Sequence, residues 1–249
     1  MSDVPALAVV VPVYNEEAGL ETGLRRIAEV AARYPGRAAV IAVEDGSSDG
    51  SRAELERLEG EIDLLEVEVH PANAGYGQAL RTGAARARRE GFDYAAFIDS
   101  DLTNPPEDLL VMGRLAAEGH PYIKASRFVA GGTMGAVPFR RRWVSVLGNR
   151  VGSALFGAGL TDVTNGFRAV RLDLLERWPL TERDFASIVE ELRWALRDGV
   201  RPVEFPTVLT ARTEDQRPTA FPYSPGLIAR YLTHSARART DLLTRRRGR

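Results

Sequence analysis

The sequence predicts an α/β fold with a mostly parallel central sheet flanked by helices. Three observations predict it. Short apolar runs alternate with amphipathic helical stretches from Ala6 to Ile98. The first runs are nearly all apolar and rich in β-branched residues, as strands covered on both faces must be. Each run ends in a segment rich in Gly, Asp, Asn or Pro, which suits loops at the carboxyl ends of parallel strands, where ligands bind.

Ala6–Val11 is the first strand. Glu17–Arg33 carries Leu20, Leu24, Ile27 and Val30 at helical spacing and stops before Pro35-Gly36. Ala39–Val43 is the second strand. Asp49 caps a helix that reaches Leu58. Leu64–Val69 is the third strand, and Tyr76–Arg89 a helix closed by Gly91. Tyr94–Ile98 is the fourth strand. This order implies a nucleotide-binding kind of architecture. After Asp101 the pattern changes. Pro106–Ala117 reads as a helix and Tyr122–Ser126 as a strand. Gly131–Gly135 reads as a mobile loop. Arg140–Phe156 is a helix with an i+4 stripe of Trp143, Leu147, Val151 and Leu155. Asp184–Arg197 is a helix, Arg201–Thr210 a strand and Thr213–Pro222 a polar loop. Ser224-Pro225 starts a last helix by cap and N1 proline. The basic end, Arg245-Arg246-Arg247-Gly248-Arg249, is expected to be disordered. The expected organisation is one domain over residues 1–223, an amphipathic helix over 224–243 and a basic tail over 244–249.

Composition narrows the function. The chain has 249 residues, and its net charge of −1 provides no field that would draw it to nucleic acid. It has no cysteine, which excludes disulfides and thiolate metal sites. Its 3 histidines are not spaced as metal pairs. No stretch reaches the roughly 20 apolar residues of a membrane span, and no basic apolar leader opens the chain. The expected location is the cytoplasm.

Four segments carry chemistry. In Asp99-Ser100-Asp101, the two aspartates stand one residue apart after an apolar strand and can face one point. A pair of carboxylates suits a hard divalent cation and, through it, a diphosphate; two solvated loop acids are the plainer reading. Pro12-Val13-Tyr14-Asn15-Glu16-Glu17 follows strand one. There Pro12 ends the strand, Tyr14 and Glu16 are placed to touch ligand, and Asn15 or Glu17 serves equally well in a helix-capping turn. Glu44-Asp45-Gly46-Ser47-Ser48-Asp49 follows strand two, where an acid can accept hydrogen bonds from a base or a ribose and Gly46 allows close backbone approach. Asn73-Ala74-Gly75-Tyr76-Gly77-Gln78-Ala79-Leu80-Arg81 puts two glycines at a helix N-terminus, a natural anion or ribose site. Leu80 breaks the dinucleotide fingerprint. Gln78 and Arg81 can face the nucleotide, although a surface ion pair also explains Arg81.

Taken in order, these segments resemble the inverting glycosyltransferases of family 2, with P-x-Y-N-E, D-D-G-S-x-D and D-x-D elements; Glu44 stands where many members have Asp. The resemblance covers residues 6 to about 210. It implies the GT-A nucleotide-diphospho-sugar transferase fold, with a nucleotide-binding half over about 5–103 and an acceptor half over about 104–223. It also implies a nucleotide-sugar donor, UDP- or GDP-linked, held by Pro12, Tyr14, Glu16, Glu44, Asp45, Gly77, Gln78, Arg81 and Ser100. Asp99 and Asp101 would hold Mg²⁺ or Mn²⁺. The second half is similar to the dolichol- or polyprenyl-phosphate branch, through Ser126-Arg127-Phe128, Arg140-Arg141-Arg142, Asn149 and Asp162-Val163-Thr164-Asn165-Gly166-Phe167-Arg168. That similarity implies a lipid-phosphate acceptor held by Arg127, Arg141, Arg142 and Arg168, since the arginine fork suits phosphate. An Asp162–Arg168 pair that merely holds the loop is the competing reading.

Glu190 matches the branch's acidic residue near the acceptor. It would be the general base if the acceptor were a hydroxyl, whereas a phosphate acceptor needs none. The sequence departs from the branch in Arg212–Thr219, where Arg217 is accompanied by two acids, and in its want of terminal membrane helices. Leu227, Ile228, Tyr231 and Leu232 give the last helix an apolar side, which suits peripheral membrane contact or packing on the domain. Three other readings compete: transfer to a hydroxyl of a soluble acceptor such as a saccharide or natural product, nucleotide-sugar synthesis, and a non-enzymatic binding module.

Overall fold

The computed structural model describes residues 4–135, 139–210 and 224–247. The first half contains β1 (Leu7–Val13), α1 (Leu20–Ala31), β2 (Ala38–Glu44), α2 (Ser51–Glu59), β3 (Leu65–Val69), α3 (Tyr76–Arg89) and β4 (Tyr94–Phe97). Then come α4 (Asp108–Ala117), β5 (Tyr122–Ser126), α5 (Phe139–Phe156), β6 (Arg168–Arg171), α6 (Leu172–Arg177), α7 (Ser187–Arg197), β7 (Val203–Pro206) and α8 (Pro225–Arg247). The strands form one sheet in the order β3-β2-β1-β4-β6-β5-β7. Among the described strands only β6 runs against its neighbours, lying antiparallel between β4 and β5.

Alternation along β1 explains its unbroken apolar sequence. Leu7, Val9, Val11 and Val13 pack into a core with α1, α2 and α4. Ala8 and Val10 point the other way, into a core with α3, α6 and α7. Two close approaches tie helices to this sheet. A methyl group added at Gly83 would lie 2.4 Å from Val10 Cγ1, so only glycine lets α3 settle on β1. One added at Gly23 would lie 2.0 Å from the Ser100 carbonyl oxygen. Gly23 thereby seats the end of β4, and the acids that follow it, directly on α1.

Several expectations need correction. Pro12 does not end the first strand; it lies within β1 opposite Val43. β6 and α6 have no counterpart in the sequence reading. The Gly131–Gly135 loop is stitched down rather than loose, because Thr133 N donates to Thr207 O and Leu209 N to Thr133 O. In α5 the buried face passes through Asn149, Gly152 and Phe156, while Val151 is exposed. The last helix runs on to Arg247, through residues expected to form a tail. The Thr213–Pro222 loop, with Arg217, lies outside the described residues.

Candidate active site

β1, β2 and β4 run parallel, so their carboxyl ends, and the Asp99–Asp101 turn after β4, lie at one edge of the sheet. Beyond β4, Ile98 N still donates to Val10 O at 3.2 Å, and the chain then bends. Leu102 takes a left-handed φ of 55°, and Asp101 Oδ1 accepts from Thr103 N at 2.9 Å and Thr103 Oγ1 at 2.8 Å. Thr103 thus fixes the Asp101 carboxylate, a role the sequence reading missed. Asp99 is half-buried near Tyr76. Burial first, and the Asp99 charge second, push the Tyr76 hydroxyl well above its ordinary pKa. The Tyr76 ring stacks on Phe185 at 4.3 Å, which links α3 to the segment before α7. Ser100 is buried, with its carbonyl packed on Gly23.

The loops after β1 and β2 lock together. Asn15, at φ 53°, donates its N–H to Ser47 Oγ at 3.0 Å and accepts from Ser48 N at 2.7 Å through Oδ1. Glu16 N donates to Ser51 Oγ at 2.9 Å. Gly50 N donates to the Glu17 carboxylate at 3.0 Å, so the second of these acids is a loop fastener. Asp49 accepts from Ser51 N at 3.0 Å just ahead of α2, but the N-cap position itself is Gly50, so Asp49 is not the cap it was expected to be. Tyr14 stands at the rim, 37% exposed. Glu44 is buried and accepts from Ser47 N at 2.5 Å.

Asp45 was assigned to the nucleotide, but its oxygens hold the protein itself. It is 2% exposed and accepts from Ala74 N at 2.8 Å and Gly75 N at 2.9 Å, with His70 Nδ1 at 2.7 Å. Its physical role is to fasten the β3–α3 loop to β2. Gly46 serves the same seam: at φ 68° it lies where an added methyl would be 2.4 Å from Asn73 N.

The N-terminus of α3 also differs from expectation. Gly77 N donates to Arg183 O at 2.8 Å, and a methyl at Gly77 would lie 2.5 Å from Glu182 O. The glycines admit the 182–183 backbone rather than a ligand. Arg81 donates to Glu182 O at 2.6 Å and to Gln78 Oε1 at 2.8 Å, so both side chains brace that segment.

On the acceptor side, Arg127 pairs with Asp162 in fork geometry, Nε to Oδ2 at 2.7 Å and Nη2 to Oδ1 at 2.9 Å, and Nη2 also donates to Thr164 Oγ1 at 2.7 Å. Glu204 accepts from Thr161 N at 2.8 Å and Asp162 N at 2.9 Å, fixing the turn that carries Asp162. Arg168 is not the partner of Asp162; its fork is taken up by Glu191. It is 1% exposed, donates to Glu191 through Nε and Nη2 at 2.6 Å each, and donates to Gly166 O at 2.7 Å. Burial opposes its charge, but Glu191 more than compensates and holds the guanidinium above its ordinary pKa. Glu190, 2% exposed, accepts from Thr181 N, Thr181 Oγ1 and Glu182 N at 2.9–3.0 Å. A carboxylate so engaged anchors a loop; it is not open to an acceptor hydroxyl. Arg141 and Arg142 fall on the first turn of α5, and their side chains lie outside the described residues.

Burial alone would raise the Asp162 carboxyl, yet Arg127, helped by Lys124, lowers it from 3.8 to about 2. The folded state therefore binds this proton more weakly than the unfolded state. The resulting stability is fully present above about pH 4 and is lost as pH falls toward 2, about 2 kcal/mol in all. Urea unfolding of the wild type and Asp162→Asn should show a stability gap that narrows by that amount between pH 5 and pH 2. A gap independent of pH would contradict the assignment.

The model of the family described as "Glycosyl transferase family 2" matches residues 8–178. The chain belongs to glycosyl transferase family 2. Among the relatives of this glycosyltransferase is polyprenol monophosphomannose synthase of Mycolicibacterium smegmatis, 30% identical over 82% of this chain and 77% of that protein. Another is undecaprenyl-phosphate 4-deoxy-4-formamido-L-arabinose transferase of Pseudomonas paraeruginosa, 36% identical over 68% of this chain but only 48% of that longer protein. In fold, the glycosyltransferase is similar to glucosyl-3-phosphoglycerate synthase of Mycobacterium tuberculosis, solved with Mn²⁺, UDP and glucosyl-3-phosphoglycerate. The TM-score is 0.63 at 19% identity, covering 97% of this chain and 80% of that one. The fold is GT-A. Among the described residues, no helix is long and apolar enough to cross a membrane.

Proposed function

We propose that this glycosyltransferase moves a sugar from a UDP- or GDP-sugar to a polyprenyl phosphate, with inversion at the anomeric carbon. The observation that carries the reading is the position of Asp99 and Asp101 at the carboxyl end of β4, at the crevice where a parallel sheet binds ligands. The named relatives act on polyprenyl phosphates, which supports the choice of acceptor.

Tyr14, at the rim, and Glu44, held by Ser47 N, flank the place for base and ribose. Asp99 and Asp101 offer only carboxylate oxygen, which fits a hard Mg²⁺ or Mn²⁺ ion. When bound there, such an ion neutralises charge on the leaving diphosphate. Thr103 keeps the Asp101 carboxylate turned to one position, so little reorganisation is needed at reaction. Arg127, aimed by the buried Asp162, and Arg141 and Arg142 at the start of α5 are the cations we assign to the acceptor phosphate.

A phosphate acceptor is already an anion and attacks without a base. This agrees with a Glu190 whose oxygens are taken up by Thr181 and Glu182. Glu190→Gln turns an NH₂ group toward those donors and should cost about 1–3 kcal/mol of stability. It should slow transfer to phosphate and to any hydroxyl acceptor by the same factor. Selective loss with the hydroxyl would restore Glu190 as a base.

The apolar residues of α8 divide. Leu227 and Ala238 are buried, and Tyr231 donates to Phe185 O at 2.9 Å, so one side of the helix packs on the domain. Ile228, Leu232 and Leu243 remain exposed, and we assign peripheral bilayer contact to this face. The function is tested by incubating purified protein with Mg²⁺ or Mn²⁺, a UDP- or GDP-sugar panel and a short polyprenyl phosphate. The expected product is a glycosyl-phosphoryl lipid of inverted configuration; a retained anomer or a nucleotide-sugar product would overturn the reading.

A further inference from the structure

A second cleft, of about 370 Å³, lies between α3 and the α6–α7 pair. Its walls are Leu80, Ala84, Leu172, Leu175, Trp178 and Leu180. Trp178 Nε1 donates to Asp198 Oδ2 at 2.8 Å, which commits its polar edge elsewhere and leaves its ring to the wall. Phe97 and the Arg168–Glu191 pair line the cleft more deeply, the latter neutral as a unit. Asp99, Asp101 and Arg127 do not line it. The cleft is thus separate from the acid pair and from Arg127.

Its polar features are one-sided. Arg81, Arg88 and Arg89 line it against a single outer acid, Glu176. Arg88 reaches Glu176 at 3.3 Å in an exposed pair, which water screens. Arg81 donates to a carbonyl and an amide, neither of which neutralises it. Arg89 is exposed, and its side chain makes no hydrogen bond or ion pair among the described residues. Ser187 lines the cleft at the Gly77 end; it is 5% exposed, and its buried Oγ has no hydrogen-bond partner.

We propose that this cleft is a second ligand site, for a small amphipathic anion: an alkyl or prenyl chain ending in phosphate or carboxylate. The volume falls within the usual range for small-molecule sites, and apolar walls with a few convergent polar groups are their usual make-up. The chain lies along Leu80, Leu172 and Leu175, and the anionic head meets the arginines of α3. A free amphiphile and the exposed end of a membrane lipid share this chemistry.

Calorimetric titration with monomeric decyl phosphate tests the site without turnover, so its result does not depend on the proposed donor or acceptor. Saturable binding is expected, at least about tenfold tighter than decanol or inorganic phosphate, because each lacks half of the recognition. Arg89→Glu, a surface change that leaves folding alone, should weaken it by about tenfold or more. Ala84→Trp, which fills the cleft, should abolish it in protein shown to be folded by circular dichroism. No saturable binding, equal affinity for decanol, or binding indifferent to Arg89→Glu would each overturn the proposal. Binding to phosphatidate vesicles without binding of free decyl phosphate would mark a surface effect and overturn it as well.

Discussion

Asp101→Asn is expected to lower sugar transfer by on the order of a hundred- to a thousandfold while leaving the fold intact. The reason lies in what the substitution keeps. Asparagine retains an oxygen at Oδ1, so the hydrogen bonds from Thr103 N and Thr103 Oγ1 survive, and so does the turn built around Leu102. What disappears is one of the two negative charges at the end of β4. The Thr103 hydrogen bonds hold shape here, whereas in the proposed function the charge serves the metal. The expected signature is an unchanged melting temperature, a collapsed kcat and a weakened response to added Mn²⁺. Undiminished turnover would remove the acid pair from the chemistry.

Glu191→Gln should destabilise the protein by about 3–5 kcal/mol. Arg168 is fully enclosed, and its fork meets Glu191 in two bonds of 2.6 Å. It also lies over the Phe97 ring at 4.4 Å and is only 1% exposed, so water can replace little of its partner's charge if Glu191 is neutralised. The loss would come chiefly from a buried guanidinium left without its counter-charge, more than from one missing bond. For a chain of this length it corresponds to a fall in melting temperature of roughly 10 °C. The double change Arg168→Met with Glu191→Leu should recover most of that stability, since neither charge is then buried. A single mutant as stable as wild type would show that the pair is not enclosed.

Much of the first half of the fold was legible because β1 and β2 are apolar on both faces, a pattern that little else in a soluble chain requires. β6 was not legible. It is Arg168-Ala169-Val170-Arg171, short and charged, and its insertion between β4 and β5 is decided by tertiary pairing and by Glu191 on a distant helix. The glycine-bearing loops show the same limit. Sequence shows that Gly46 and Gly77 permit close approach, but not what approaches, and in both cases it is the chain's own backbone. Asp45 reads as a ligand acid from its motif, yet the N–H groups of Ala74 and Gly75 take its oxygens. The pairing of Arg127 with Asp162 was not legible; the competing reading paired Asp162 with Arg168, which instead meets Glu191. Thr103 gave a weak signal, a hydroxyl two residues after an aspartate, which is the spacing of a side-chain turn.

The most direct test of transfer to a lipid phosphate is nucleoside diphosphate release by the purified full chain, with Mg²⁺ or Mn²⁺ and UDP- and GDP-sugars, in the presence and absence of a short polyprenyl phosphate. Release that requires the lipid phosphate, and that saturates with it, is the predicted result. Release from the same donor that the lipid phosphate leaves unchanged, but that a hydroxyl compound stimulates, would contradict it.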